Sequence, residues 1–186
     1  MQRIARRGTV LLVMLALLAA VADARRSEAA SARDIEAGVN ATLDRFYREI
    51  GGAHDLAGKA AGILVFPSVI KAGIGVGGEY GEGALRIGGR TAGYYNTVTA
   101  SIGFQLGAQA RSVIIMFMTE QALSRFNRTD GWKVGVDGSV TLITVGASGS
   151  IDTNKINSSV IGFILGETGL MYNLTLEGSK ISRITR

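Results

Sequence analysis

The 186-residue chain contains no cysteine, one proline (Pro67) and one histidine (His54). Without cysteine there is no disulfide, thiolate metal site, iron–sulfur cluster, cysteine nucleophile or lipid-modified N-terminal cysteine. The single histidine, beside Asp55, has no G-x-S-x-G nucleophile elbow to serve, so an ordinary helix-end residue is the better reading than an acid–base catalyst. The scarcity of proline leaves no Pro/Ser-rich linker to divide the chain. Charged residues make up 19% and apolar residues 47%, which excludes a disordered composition and leaves enough apolar surface for a core. The length suits one ordinary domain.

Positive charge is unevenly spread. The formal balance is +5, a value that invites polyanionic partners only where the charge sits on the folded surface. Arg3, Arg6 and Arg7 precede an apolar run from Val10 to Ala22, and Ala20-Val21-Ala22 or Ala22-Asp23-Ala24 supplies small residues for a signal peptidase. Such a run makes about 20 Å of helix at ~1.5 Å per residue, short of the ~30 Å hydrocarbon core. Residues 1–24 are therefore expected to be a cleavable secretory signal and residues 25–33 a polar basic leader. The single domain would then span 34–186, its own balance falling to +1 once the six Arg and two acidic residues of the signal and leader are set aside. Nucleic-acid binding loses its main support.

Asp34 is placed to cap an amphipathic helix with Ile35, Val39, Leu43, Phe46 and Ile50 on one face, ending at Gly51-Gly52. A short helix over Ala53–Lys59 follows. From Ile63 the apolar period changes to two, giving strands at Ile63–Phe66, Val69–Tyr80, Gly83–Ile87, Tyr94–Leu106, Val113–Met118, Lys133–Val136, Ser139–Val145, Val160–Leu165 and Leu170–Leu176. Thr119–Phe126 interrupts them as a capped helix. The expected fold is α+β: a largely antiparallel twisted sheet or partly closed barrel, with an N-terminal amphipathic helix and one or two short helices.

Glycine is abundant, and 11 of the 26 residues lie between Gly73 and Gly107. Gly73, Gly75 and Gly77 alternate and so share one strand face. Glycine within a strand marks a bend, a bulge or a close approach. Here it fits a sharply coiled sheet or a docked helix, or else a smooth groove for an acyl chain or head group. Gly73-Ile-Gly75-Val-Gly77-Gly78 matches G-x-G-x-x-G in letters alone, because no helix follows to hold a pyrophosphate. Glu79 and Glu82 fall on opposite strand faces and cannot act as a glycosidase pair. No motif in the chain requires a cofactor.

Three blocks carry a family resemblance. They are Ala61-Gly-Ile-Leu-Val-Phe66 continuing through Val69-Ile-Lys-Ala-Gly-Ile-Gly-Val-Gly-Gly78 to Gly81-Glu-Gly83; Ser101-Ile-Gly-Phe-Gln-Leu-Gly-Ala-Gln109 with the apolar run Val113–Phe117; and Gly169-Leu-Met-Tyr-Asn-Leu-Thr-Leu-Glu-Gly-Ser179. From Lys59 onward, over about two thirds of the chain, the sequence resembles the SYLF domain family. That resemblance implies a non-enzymatic phospholipid-binding module. Eukaryotic members are described as phosphoinositide or phosphatidic-acid binders, some also associated with actin. This chain has Glu79 where those relatives tend to carry Arg.

Lys71 matches the family's K-A-G step and shares the face of Gly73 and Gly75, which makes it the first candidate for an anionic head group. Lys59, Arg86, Arg90 and Arg111 are candidates for a cationic rim, and Gly77 extends the glycine face. Tyr80, Tyr94, Tyr95 and Trp132 suit a lipid interface but equally core packing or turn anchoring. The expected partner is an anionic phospholipid or membrane surface, met by an exported protein in the periplasm or cell envelope. The alternative is an envelope structural or protein-interaction domain, with a protein partner or a homo-oligomer and no specific lipid.

Overall fold

The computed structural model describes residues 31–103, 109–143, 151, 156–166, 169–170 and 176–186. The signal, most of the leader and parts of three expected strands (104–106, 144–145 and 171–175) lie outside the described residues. Residues 32–186 form one unit. It contains helices α1 (Ala32–Glu49), α2 (Ala53–Lys59) and α3 (Glu120–Arg128). Its strands are β1 (Gly62–Ile87), β2 (Arg90–Gly103), β3 (Gln109–Phe117), β4 (Trp132–Lys133), β5 (Thr141–Leu142), β6 (Val160–Gly166), β7 (Gly169–Leu170) and β8 (Lys180–Ile184). The strands form one sheet in the order β4-β8-β2-β1-β3-β6-β5, with β7 paired to β6. All pairs are antiparallel except β5 with β6. The result is an α+β fold in which the sheet curls into a half-barrel.

Strand β1 produces the curl. It joins three segments that the sequence separates, because Pro67 is absorbed in an irregularity between Phe66 and Val69 instead of ending the strand. Its first arm pairs with β3 and its second with β2. At ~3.3 Å per residue a straight strand of this length would reach roughly 85 Å; β1 instead turns back so that its two arms pack against each other. Gly81 and Gly83 permit that approach. A Cβ at Gly81 would lie 2.7 Å from the Ser68 carbonyl oxygen, and one at Gly83 would run into the Val65 carbonyl oxygen. The excess glycine thus serves, at these two positions, a sharply coiled sheet.

Alternation sorts the apolar residues into two cores. Leu64, Phe66, Val113, Ile115, Phe117, Val160 and Ile164 face the concave side and pack with Leu85, Tyr95, Leu123, Phe126, Trp132 and Ile181. Their neighbours Val65, Ile114, Met116, Ile161 and Phe163 are buried on the other side, where α1 lies across the sheet. Phe46 of α1 meets Phe163 with ring centroids 4.7 Å apart, and Gly38 sits against Pro67. The helix buries Ile35, Val39, Thr42 and Phe46, close to the expected stripe. It begins at Ala32, so Asp34 occupies the first turn, near the positive end of the helix dipole, and not the cap. Thr119 does cap α3, accepting a hydrogen bond from the Ala122 amide at 3.2 Å.

Strand β8 has no counterpart among the expected strands. It pairs with both β2 and β4 and buries Ile181. The Gly88-Gly89 hairpin joining β1 to β2 has both residues at positive φ, 56° and 77°, the requirement of a tight two-residue connection.

Candidate functional site

The concave face changes character along its length. Odd-numbered positions of β1 from Val69 to Leu85 form its inner row, with Val69 and Leu85 in the core and Glu79, Gly81 and Gly83 buried between them. The period of two places Lys71, Gly73, Gly75 and Gly77 in the same row. Across the ladder, Glu79 pairs with Thr99, Gly81 with Thr97, Gly77 with Ser101 and Gly75 with Gly103. One end of the half-barrel is therefore filled by aromatic and branched side chains. The other is lined by glycine, hydroxyls and charge.

Three charged side chains meet there. Arg111, in the inner row of β3, donates from Nη2 to Glu79 Oε2 at 2.5 Å, and Lys71 Nζ lies 3.7 Å from Glu79 Oε1. The Glu79 and Arg111 side chains are 9% and 12% exposed. Burying charge is costly unless each group is paired and hydrogen-bonded, and this cluster is not fully satisfied: Arg111 Nε is buried without a hydrogen-bond partner. Beside it lies a cavity of about 10 Å³ whose wall is mostly apolar, formed by core residues such as Phe66, Val113 and Ile115, with Glu79, Arg111, Thr97 and Ser179 as its polar members; it has space for about one water molecule. Thr99 Oγ1 and Ser179 Oγ, 2.8 Å apart, link β2 to the turn before β8. Two cations and one carboxylate, with Lys71 still partly open to solvent and hydroxyls nearby, make a site suited to an anion.

The remaining candidates are placed elsewhere. Arg86 points away from Lys71 and clasps α1 to the sheet, donating to Glu36 Oε2 at 2.6 Å and Asn40 Oδ1 at 2.7 Å. Thr91 and Tyr94 also donate to Glu36, at 2.6 and 3.1 Å. Partial burial raises the Glu36 pKa, but these hydrogen bonds and the Arg86 charge outweigh it and hold the carboxyl below the usual glutamate range. Lys59 ends α2 and Arg90 begins β2, both exposed. These three do not join Lys71 in one rim. Arg86 instead borders a separate cleft of about 380 Å³ between the helices and the Gly88-Gly89 hairpin, with Leu43, Tyr47, His54 and Ile63.

Of the aromatic candidates, Tyr95 and Trp132 are core residues and Tyr94 anchors α1. Tyr80 is exposed and donates to Glu82 at 2.5 Å. His54 is exposed and sits edge-on to Tyr47. Glu79 lies inside and Glu82 outside, as their spacing requires. Among the described residues no group of three His, Asp or Glu side chains could hold a metal ion, and no helix is long and apolar enough to cross a membrane. Sequence reasoning did not assign Glu79, Thr97, Thr99 or Ser179 to the site; the signals for Glu79 were its place in the glycine row and its standing where the relatives tend to carry Arg.

Residues 98–185 match the family model described as Ysc84, Las17-binding protein actin regulator, whose domain is the SYLF domain. This segment belongs to the SYLF family. The match takes in the second and third sequence blocks and all strands from β3 to β8. It includes Arg111, Thr99 and Ser179, whereas Lys71, Glu79 and the glycine row of β1 precede it. No curated protein matches the chain.

Proposed function

We propose that the chain is an exported, non-enzymatic phospholipid-binding module of the periplasm or cell envelope. The anionic head group would meet Lys71 and Arg111 on the concave face, beside the row of Gly73, Gly75 and Gly77. The observation that carries this reading is the placement of two cations, Arg111 buried and Lys71 partly exposed, at the end of the half-barrel that also carries Thr97, Thr99 and Ser179, next to positions that have no Cβ to obstruct a ligand. The SYLF assignment supports a lipid or protein ligand, and the Arg-led apolar run at residues 3–22 supports export. Lys59 and Arg90 are exposed and remain available to an anionic membrane surface without belonging to that site. An exported domain does not meet cytosolic actin, so actin regulation is not carried over.

Liposome flotation of the mature chain is the test. Co-migration with anionic but not zwitterionic vesicles is expected; equal absence from both removes the reading.

A second reading, a protein-interaction domain, is favoured by one observation on the outer face. Tyr80 and Val98 are cross-strand partners and both are nearly half exposed, at 46% and 47%. Native mass measurement on envelope extract would then show a stoichiometric protein partner or a self-assembled species.

A further inference from the structure

We propose that Glu79 is a resident counter-anion in a phosphate subsite, and that a ligand's phosphate group binds by replacing the Glu79 carboxylate between Lys71 and Arg111. The inference rests on the reading of the concave face as the ligand site and goes beyond it in naming the group recognised and the residue it displaces.

Arg111 supplies the first argument. A guanidinium presents Nη2 and Nε as a fork that matches two oxygens of a phosphate or carboxylate. Glu79 occupies only the Nη2 prong, at 2.5 Å, while Nε is buried and has no partner. A buried donor left unsatisfied is costly. A tetrahedral phosphate has oxygens enough to take both prongs and still reach a third donor.

Lys71 supplies the second. Its Nζ stands 3.7 Å from Glu79 Oε1, an ion pair beyond hydrogen-bond distance, so the carboxylate hydrogen-bonds Arg111 and holds Lys71 by charge alone. With two cations and one anion the cluster carries net positive charge, and a phosphate bearing up to two negative charges would balance it better than one carboxylate does.

The neutral wall is also suitable. Thr97 and Ser179 border the cavity, and Thr99 is bonded to Ser179; hydroxyls donate to phosphate oxygens without adding charge. Space sets the order of events. The cavity beside the cluster, which Lys71 does not border, has room for about one water, too little for phosphate, so a phosphate held between Lys71 and Arg111 must take the carboxylate's own place. Exchange of one anion for another keeps Lys71 and Arg111 paired throughout.

The test compares the wild-type chain with Glu79→Gln and Arg111→Gln, using two probes: inorganic phosphate, and vesicles of phosphatidylcholine with or without phosphatidic acid. Glu79→Gln removes the competing charge at nearly constant shape. It is expected to bind inorganic phosphate about tenfold or more tightly than wild type, the size of effect a charge-assisted hydrogen bond carries. Arg111→Gln is expected to lose that binding. A parallel gain on phosphatidic-acid vesicles identifies a lipid head group as the source of the phosphate. A gain for free phosphate with no flotation of any form keeps the exchange and removes the phospholipid reading. Wild-type flotation with phosphate affinity unchanged in Glu79→Gln overturns the exchange and leaves the phospholipid reading standing. Should Glu79→Gln fail to fold, phosphate titration of the wild-type chain followed at the Arg111 Nε–H resonance, identified by its loss in Arg111→Lys, decides the matter. A saturable shift supports the exchange and a stationary resonance overturns it.

Discussion

Gly83 packs directly against the backbone carbonyl of Val65, a residue of the same strand, so β1 is its own packing partner. This relationship positions the candidate site, because the fold-back that brings Gly83 to Val65 also brings Glu79 to Lys71.

Gly83→Ala should therefore destabilise the domain by about 1–3 kcal/mol, the usual cost of forcing atoms into a filled space. Gly58, in α2, faces open space, with nothing within 4 Å of where a methyl group would stand, and Gly58→Ala should be neutral or stabilising by up to about 1 kcal/mol. Urea denaturation of both variants checks the pair. Equal midpoints would contradict the packing of the two arms.

The α1 clasp predicts a pH dependence. The folded-state pKa of Glu36 lies below its unfolded value, so its contribution to stability is fully present above the unfolded pKa and is lost as pH falls through the usual glutamate range and then the lower folded value. Arg86→Gln and Glu36→Gln should each flatten this part of the stability curve between about pH 5 and pH 3. Thermal melts across that interval would show it; an unchanged slope in Glu36→Gln would assign the acid sensitivity to other carboxylates.

Phe46 joins α1 to the sheet face opposite the candidate site. Phe46→Ala should cost about 3–5 kcal/mol, the range for a fully buried phenylalanine. Where the variant remains folded, its vesicle binding should match wild type, since Phe46 and the concave residues lie on opposite sides of the sheet. Denaturation and flotation on one preparation test both halves of this expectation.

Much of the fold was legible in the sequence because it depends on local periodicity. The stripe from Ile35 to Ile50, the Ala53–Lys59 helix and the apolar runs of β3 and β6 all carry their periods openly. Strand β8 does not: Lys180, Ser182 and Arg183 leave only Ile181 and Ile184 apolar, and the strand exists through its pairing with β2 and β4. Pro67 read as a terminus because the register irregularity that accommodates it is formed with β3 and not within the segment itself. The glycine face and Lys71 were visible as a strand pattern. The ion cluster was not, since in a straight strand Lys71 and Glu79 would stand roughly 26 Å apart at ~3.3 Å per residue. Arg86 and Lys71 are both strand cations in sequence terms; only the tertiary fold sends one to the helix and the other to the interior.

The central claim is that the concave face holds an anionic phospholipid through Lys71 and Arg111. Native mass spectrometry of the protein purified from its own envelope tests it most directly. The predicted result is a co-purified anionic phospholipid in stoichiometric amount, lost from a folded Lys71→Glu variant. A bare polypeptide mass, or a bound lipid retained equally by Lys71→Glu, would contradict it.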